Sequence, residues 1–111
     1  MSSSPTAGHV PKWVAVDFES ATVSAGKTPD SFVLTVTGHT SSSSSLGCPV
    51  KLSAAKYVTQ PEYWRIEVLW DCADAIFQSL CDFSVSIPLD GIRGKQGIEV
   101  VGRKRHEQIN V

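Results

Sequence analysis

Thiol and carboxylate side chains concentrate in one short segment of the chain. Residues 71–82 read DCADAIFQSLCD, which places Cys72 and Cys81 among three aspartates. Thiolates and carboxylates are metal ligands, and two cysteines can also form a disulfide. The spacing matches no zinc-binding pattern. A metal or redox role for Cys72 and Cys81 is therefore one hypothesis, although no metal or other cofactor is predicted.

Two local structures compete for this segment. Its apolar residues recur at helical spacing after an aspartate that suits a helix start, which predicts one short helix near residues 72–81. In that helix Cys72 and Cys81 would lie about 13 Å apart, too far for a disulfide or a shared metal. In the alternative, a hairpin loop, the two could bridge. The third cysteine is Cys48, so at most one pair can form, and thiols in the cytosol are usually reduced.

No sequence motif predicts the catalytic groups of a hydrolase. A nucleophilic hydrolase needs a Ser or Cys, a His within hydrogen-bond reach and a group that orients the His. The chain has His9, His39 and His106, and none lies in a segment expected to hold an imidazole rigidly. Neither G-x-S-x-G nor H-E-x-x-H occurs. The protein is predicted not to be an enzyme.

Two glycine-containing segments could in principle bind an anion. Gly26-Lys27-Thr28 matches the end of the phosphate-binding loop motif, but Ala21 replaces its first glycine and Pro29 stands where a helix should begin. The segment 91–97, GIRGKQG, could offer backbone amides to an anion, but glycines between two strands are more typical of a turn. Both segments are predicted to be turns.

The bulk composition indicates one globular domain. The 111 residues carry a formal net charge of -1 and are 41% hydrophobic, which gives no electrostatic signature of a nucleic-acid or membrane partner. Residues 1–11 are rich in Ser, Pro and Gly and are expected to be a flexible tail, with a single domain at 12–111. No apolar stretch is long enough to span a bilayer, and no leader precedes the domain, so a cytoplasmic location is expected.

Alternation of apolar and polar residues is the main structural signal. In PEYWRIEVLW (61–70), one parity carries Trp64, Ile66, Val68 and Trp70, and the other carries Tyr63, Arg65, Glu67 and Leu69. Because successive side chains of a strand point to opposite faces, the first set is expected to face the core and the second to face outward. Similar runs follow Trp13, Ser31 and Asp82, and a change of phase near Glu19 suits a bulge.

Six to eight short strands with turns between them predict an antiparallel β-sandwich. The domain is immunoglobulin-like in size and strand number, with the short helix inserted after the strand at 63–70. It lacks the Cys-Trp-Cys spacing of true immunoglobulin domains, so no function follows from the shape.

Exposed aromatic residues are the remaining candidates for a binding surface. Trp13 and Tyr63 lie on the parity opposite to the aliphatic residues of their strands, and Arg65 shares the outer face with Tyr63. We expect these three residues to form a ligand or partner surface. The leading hypothesis is a non-enzymatic protein-interaction or assembly module that uses sheet edges, with a protein partner or self-association. The alternative is a carbohydrate or small-ligand binding domain.

Overall fold

The computed structural model describes residues 12–42, 50–71 and 79–111, and these form eight strands in two packed sheets. The strands are β1 (Trp13–Ala15), β2 (Ser20–Ala25), β3 (Phe32–Ser42), β4 (Val50–Ala54), β5 (Tyr63–Asp71), β6 (Ser79–Pro88), β7 (Gly97–Val101) and β8 (His106–Asn110). The prediction of an all-β sandwich is confirmed.

The five-stranded sheet is built around β5. Strand β4 lies along one side of β5, while the other side is shared by β7, which pairs with residues 63–67, and β1, which pairs with residues 69–71. Strand β8 completes the sheet beyond β7. The β5–β7 pair is parallel, because the chain crosses to the second sheet as β6 before it returns; every other pair of described strands is antiparallel.

The three-stranded sheet has the order β2–β3–β6. Strand β2 begins at a bulge, since the Glu19 N–H donates to the Thr37 carbonyl at 2.8 Å although Thr37 is paired with Ser20 in the ladder. Two residues therefore oppose one, as the phase change in the sequence predicted. The turn from β2 to β3 is closed by the Gly26 N–H, which donates to the Ser31 carbonyl at 2.8 Å.

The core lies between the two sheets and is supplied by the inward-facing parity of each strand. Its largest fully buried side chains are Leu34, Val36, Ile66, Val68, Leu89, Ile98 and Val100. Trp64 is half-buried and packs against this cluster, and its Nε1 donates to the Ala55 carbonyl at 2.8 Å. The inward orientation predicted for Trp64, Ile66 and Val68 is confirmed.

The helix predicted near residues 72–81 is contradicted over residues 79–81. Residues 79–81 belong to β6 and pair with the end of β3, with Thr40 opposite Cys81. The ladder with β3 satisfies backbone groups that a helix would have satisfied locally, so tertiary pairing overrides the helical spacing of the apolar residues. Residues 72–78, which hold the rest of the predicted helix, lie outside the described residues. Within the described part of the chain, no helix could cross a membrane.

Candidate interaction surface

Two edge strands, one from each sheet, line a shared open cleft. Strand β2 ends the three-stranded sheet and β8 ends the five-stranded sheet, and among the described strands each pairs on one side only. The cleft between them has a volume of about 540 Å³. Its lining is Ala21, Thr22, Val23, Ser24, Ala25, Phe32, Glu107, Ile109, Asn110 and Val111. We call this the edge cleft.

Arg105 fixes the two edges relative to each other. Its Nη1 donates to the carbonyls of Phe18 at 3.0 Å and Glu19 at 2.7 Å, just before β2, while its Nη2 contacts Glu107 of β8 at 3.1 Å. The guanidinium also lies 4.9 Å from the centre of the Phe18 ring. A planar cation with several donors suits this bridging role better than a lysine would. The spacing of the edge cleft is therefore set by a defined contact at one end.

The backbone of β2 has hydrogen-bonding groups directed away from its own sheet. Alternate residues of an antiparallel strand bond to the same neighbour. Since Gly26 bonds to β3, the alternation assigns Ala21, Val23 and Ala25 to the outer edge, with N–H and C=O groups pointing away from β3. The side chains of Ala21 and Val23 meanwhile turn inward, opposite Val36 and Leu34. An added strand could form hydrogen bonds with these main-chain groups and pack against the apolar side chains of Ala21 and Val23.

The composition of β2 differs from that of most other edges. Natural edge strands are commonly protected from pairing by charged residues or proline. Strand β4 contains Lys51, β6 contains Asp82 and Pro88, and β8 contains Glu107. Strand β2 reads SATVSA, with no charge and no proline. Strand β1 also lacks charge and proline, but it has only three residues, and very short edge strands are poor templates for pairing. Strand β2 is therefore the longest edge without such protection among the described strands.

The aromatic residues predicted to form a surface are not brought together. Trp13 pairs with Asp71 at one end of β5, whereas Tyr63 starts the other end, about 26 Å away along the strand. Trp13 is 36% exposed, and Lys51 Nζ lies 4.1 Å from the centre of its ring. The Tyr63 hydroxyl donates to Asn110 at 2.8 Å. The two rings share the outer face of the sheet but form no common platform.

Arg65, the third predicted surface residue, is exposed on the same face as Tyr63. Its guanidinium lies 3.8 Å from the Glu67 carboxylate, and Glu99 of β7 is paired beside it. These neighbours neutralise its charge on the sheet surface, and an exposed pair of this kind contributes little stability. Its role in binding stays a prediction.

The expectation that no histidine is rigidly held is wrong for His39. This residue lies within β3 and not in a loop, and its Nε2 is 2.8 Å from Glu19 Oε1 while its Nδ1 contacts Asp82 Oδ1. Carboxylates only accept hydrogen bonds, so both contacts are complete only when both ring nitrogens carry hydrogen. His39 therefore fastens the bulge before β2 to β6.

A second cavity of about 630 Å³ lies at one end of the sandwich. Residues 14–17 line it together with His39, Thr40, Trp70 and Arg103. The Trp70 Nε1 is buried and has no acceptor among the described residues.

Asp17 holds the turn between β7 and β8. Its Oδ1 accepts the backbone N–H of Lys104 at 2.6 Å and that of Arg105 at 3.0 Å. These hydrogen bonds, that of Lys104 first, stabilise the carboxylate and lower the pKa of Asp17 below its ordinary value of 3.8. Because this turn carries Arg105, Asp17 indirectly positions the edge cleft.

The segment 91–97 is a turn, as predicted, and its amides are already used. The N–H groups of Gly94, Lys95 and Gln96 donate to carbonyls at 2.8 Å each. Gly94 also packs so closely on Glu62 that a Cβ would meet the Glu62 carbonyl oxygen at 2.4 Å. Amides bonded within the protein are not available to an anion, so the anion-binding reading has no support in this geometry.

Cys81 is disulfide-bonded. The other two cysteines of the chain, Cys48 and Cys72, lie outside the described residues. No group of three or more potential metal ligands is found within the described ranges.

Comparisons with known proteins found no relatives. No protein-family model matches the chain, and no curated protein and no solved structure matches it. The edge cleft therefore has to be interpreted from its own geometry. The sequence did contain a signal for it: an uncharged strand, SATVSA, between Glu19 and Lys27.

Proposed function

We propose that this protein is a non-enzymatic interaction module that accepts an extended strand of a protein partner at the outer edge of β2. The observation that carries the proposal is the unprotected edge of β2 above the apolar lining of the edge cleft. In strand addition, main-chain hydrogen bonds supply affinity, and pockets for alternate side chains supply specificity.

The edge cleft supports both parts of this recognition. The outward groups of Ala21, Val23 and Ala25 would pair with the main chain of the partner. Alternate side chains of the partner would then point into the cleft, toward Phe32 and Ile109, which are half-buried and apolar. We expect the partner segment to be extended and to carry small or aliphatic residues at every second position.

Carbohydrate binding by Trp13 and Tyr63 has weaker support. Stacking on a sugar needs an open ring face, and Lys51 lies over the ring of Trp13. The hydroxyl of Tyr63 is engaged by Asn110, and the two aromatic residues are at opposite ends of β5.

Panning of a displayed library of random extended peptides against the immobilised protein tests the proposal. Selected peptides would be synthesised, and their binding would be measured by fluorescence polarisation and by amide chemical shifts. We expect the peptides to perturb the amides of Ala21, Val23 and Ala25. Val23→Pro should weaken binding at least about tenfold, because it removes one main-chain donor and places a ring on the edge.

Thr22→Val is the matched control. The alternation directs the main-chain groups of Thr22 toward β3 and its side chain to the outer face, so this variant should bind within about twofold of wild type. Peptides that bind without perturbing the β2 amides, or that bind Val23→Pro as well as wild type, would refute strand addition at this edge. So would a library that yields no binder while the immobilised protein is folded and monomeric.

A further inference from the structure

The residues that flank β2 have opposite charges at matched distances from its centre. Glu19 precedes the strand and Lys27 follows it, and Val23 lies midway between them. Both charged residues are exposed. Lys27 has no ion-pair partner among the described residues, whereas Glu19 contacts His39. A strand with this pattern is complementary to a second copy of itself running in the opposite direction.

We propose that the strand added at the edge of β2 is β2 of a second copy of this chain, paired antiparallel about a two-fold axis at Val23. This inference rests on the proposed function and names the partner. In this register the numbers of two facing residues within β2 add up to 46. Val23 faces its own copy, and Ala21 faces Ala25. Glu19, at the bulge before β2, and Lys27, in the turn after it, lie beyond the paired residues, and antiparallel pairing brings the Glu19 end of one strand next to the Lys27 end of the other. The three-stranded sheets of two molecules would join into one continuous sheet.

The hydrogen-bonding phase of β2 agrees with this register. Residues directly opposite in an antiparallel pair lie on the same face, and they bond when both have outward groups. The register pairs the three outward-directed residues, Ala21, Val23 and Ala25, with one another, which allows about six main-chain hydrogen bonds. A shift of one residue would oppose inward-facing with outward-facing side chains and lose this match.

The side chains also fit a close pairing. On the outer face Thr22 would meet Ser24 of the other copy, and hydroxyl pairs of this kind are favourable across strands. On the inner face Val23 and Ala21 carry no charge, so nothing is repelled at the axis. The two symmetric Glu19–Lys27 pairs at the ends would select the antiparallel direction. A two-fold arrangement of this type closes on itself and leaves no β2 edge exposed.

Sedimentation equilibrium from about 10 µM to about 1 mM tests the inference, since a dissociation constant well above this range would leave the protein mainly monomeric throughout it. We expect a reversible monomer–dimer equilibrium. Lys27→Glu alone, or Glu19→Lys alone, should weaken the dimer about tenfold by placing like charges near each other. The double variant Glu19→Lys/Lys27→Glu should associate more tightly than either single variant, although it also loses the Glu19–His39 contact.

Val23→Pro should abolish the dimer, whereas Thr22→Val, which loses only the two Thr22–Ser24 hydroxyl contacts, should weaken it by no more than about tenfold. If Val23→Pro does not fold, the charge variants still carry the test, because both positions are exposed. A monomer at all concentrations would overturn the inference, and so would a dimer that ignores Val23→Pro or whose double charge variant associates no more tightly than the single variants. A monomer whose β2 edge still binds library peptides would leave the proposed function standing; loss of both would refute both.

Discussion

Trp64 provides the sharpest test of the assignment of inside and outside faces. We compare Trp64→Ala with Trp13→Ala, because both residues lie in the five-stranded sheet on opposite faces. Trp64 packs against the core cluster, donates to the Ala55 carbonyl, and meets the Tyr57 ring edge-to-face at 5.0 Å and 81°. Trp13 is 36% exposed and has one cation–π contact with Lys51.

The expected destabilisation follows from these contacts. Truncation of a core tryptophan to alanine costs about 3 to 5 kcal/mol, and the partial exposure of Trp64 places it near the lower end. That total includes about 1 kcal/mol for the hydrogen bond to Ala55 and about 0.5 to 1.5 kcal/mol for the contact with Tyr57. Trp64→Phe keeps most of the packing and should cost about 1 kcal/mol. Trp13→Ala loses an exposed cation–π contact, about 0.5 to 1 kcal/mol.

Urea unfolding followed by far-ultraviolet circular dichroism measures these differences without depending on tryptophan fluorescence, which the substitutions change. With a slope of about 1.5 kcal/mol per molar urea, Trp64→Ala should lower the midpoint by about 2 M. A loss below about 1 kcal/mol for Trp64→Ala, or an equal or larger loss for Trp13→Ala, would show that the faces are assigned wrongly. Equal slopes in all variants are required for the comparison.

Two further predictions concern charge and thiol chemistry. The pKa of Asp17 is lowered in the folded protein, so its carboxylate stabilises the fold at pH values above its unfolded pKa and this contribution is lost as the pH falls through the folded pKa. The stability difference between wild type and Asp17→Asn, measured by urea unfolding, should therefore be largest above about pH 5 and shrink toward pH 2; a difference independent of pH would contradict this reasoning. Because Cys81 is disulfide-bonded, Ellman titration of the unfolded, unreduced protein should find one free thiol and titration after reduction should find three; three before reduction would refute the bond.

The two-residue period was sufficient to predict most strands, for a physical reason visible at β5. Ile66 and Val68 are fully buried, whereas Arg65 is exposed and Glu67 half-buried, so burial repeats the alternation of the sequence. The bulge near Glu19 was predictable for the same reason, because a bulge shifts the alternation by one residue. Local chemistry and global packing agree at these positions.

The helix prediction failed at residues 79–81 because helical spacing is a local signal. Strand pairing is not local: Cys81 pairs with Thr40, which is 41 positions earlier in the chain. No residue near Cys81 in the sequence indicates that it pairs with Thr40. The same limit explains the parallel β5–β7 pair, which depends on β6 crossing to the other sheet.

Placement of the aromatic residues shows what parity leaves undetermined. Parity assigned Trp13 and Tyr63 to one face correctly, but their separation along that face depends on the register of β1 with β5. To predict a binding surface, both the sheet face of each residue and the distance between the residues along that face must be known. The sequence supplies the face, and only the strand pairing supplies the distance.

Identification of the β2 edge as a candidate binding surface required both the sequence pattern and the strand pairing. SATVSA in the middle of a sheet would be an ordinary strand, since its outward main-chain groups would be paired on both sides. It becomes a candidate binding surface because β3 lies on one side and none of the described strands lies on the other. Glu19 and Lys27 are likewise two ordinary surface charges until the alternation places Val23 at an edge. The proposed two-fold axis through Val23 would bring Glu19 of one copy near Lys27 of the other. Exchange of the two charges therefore tests both the pairing of the β2 edge and the identity of the partner.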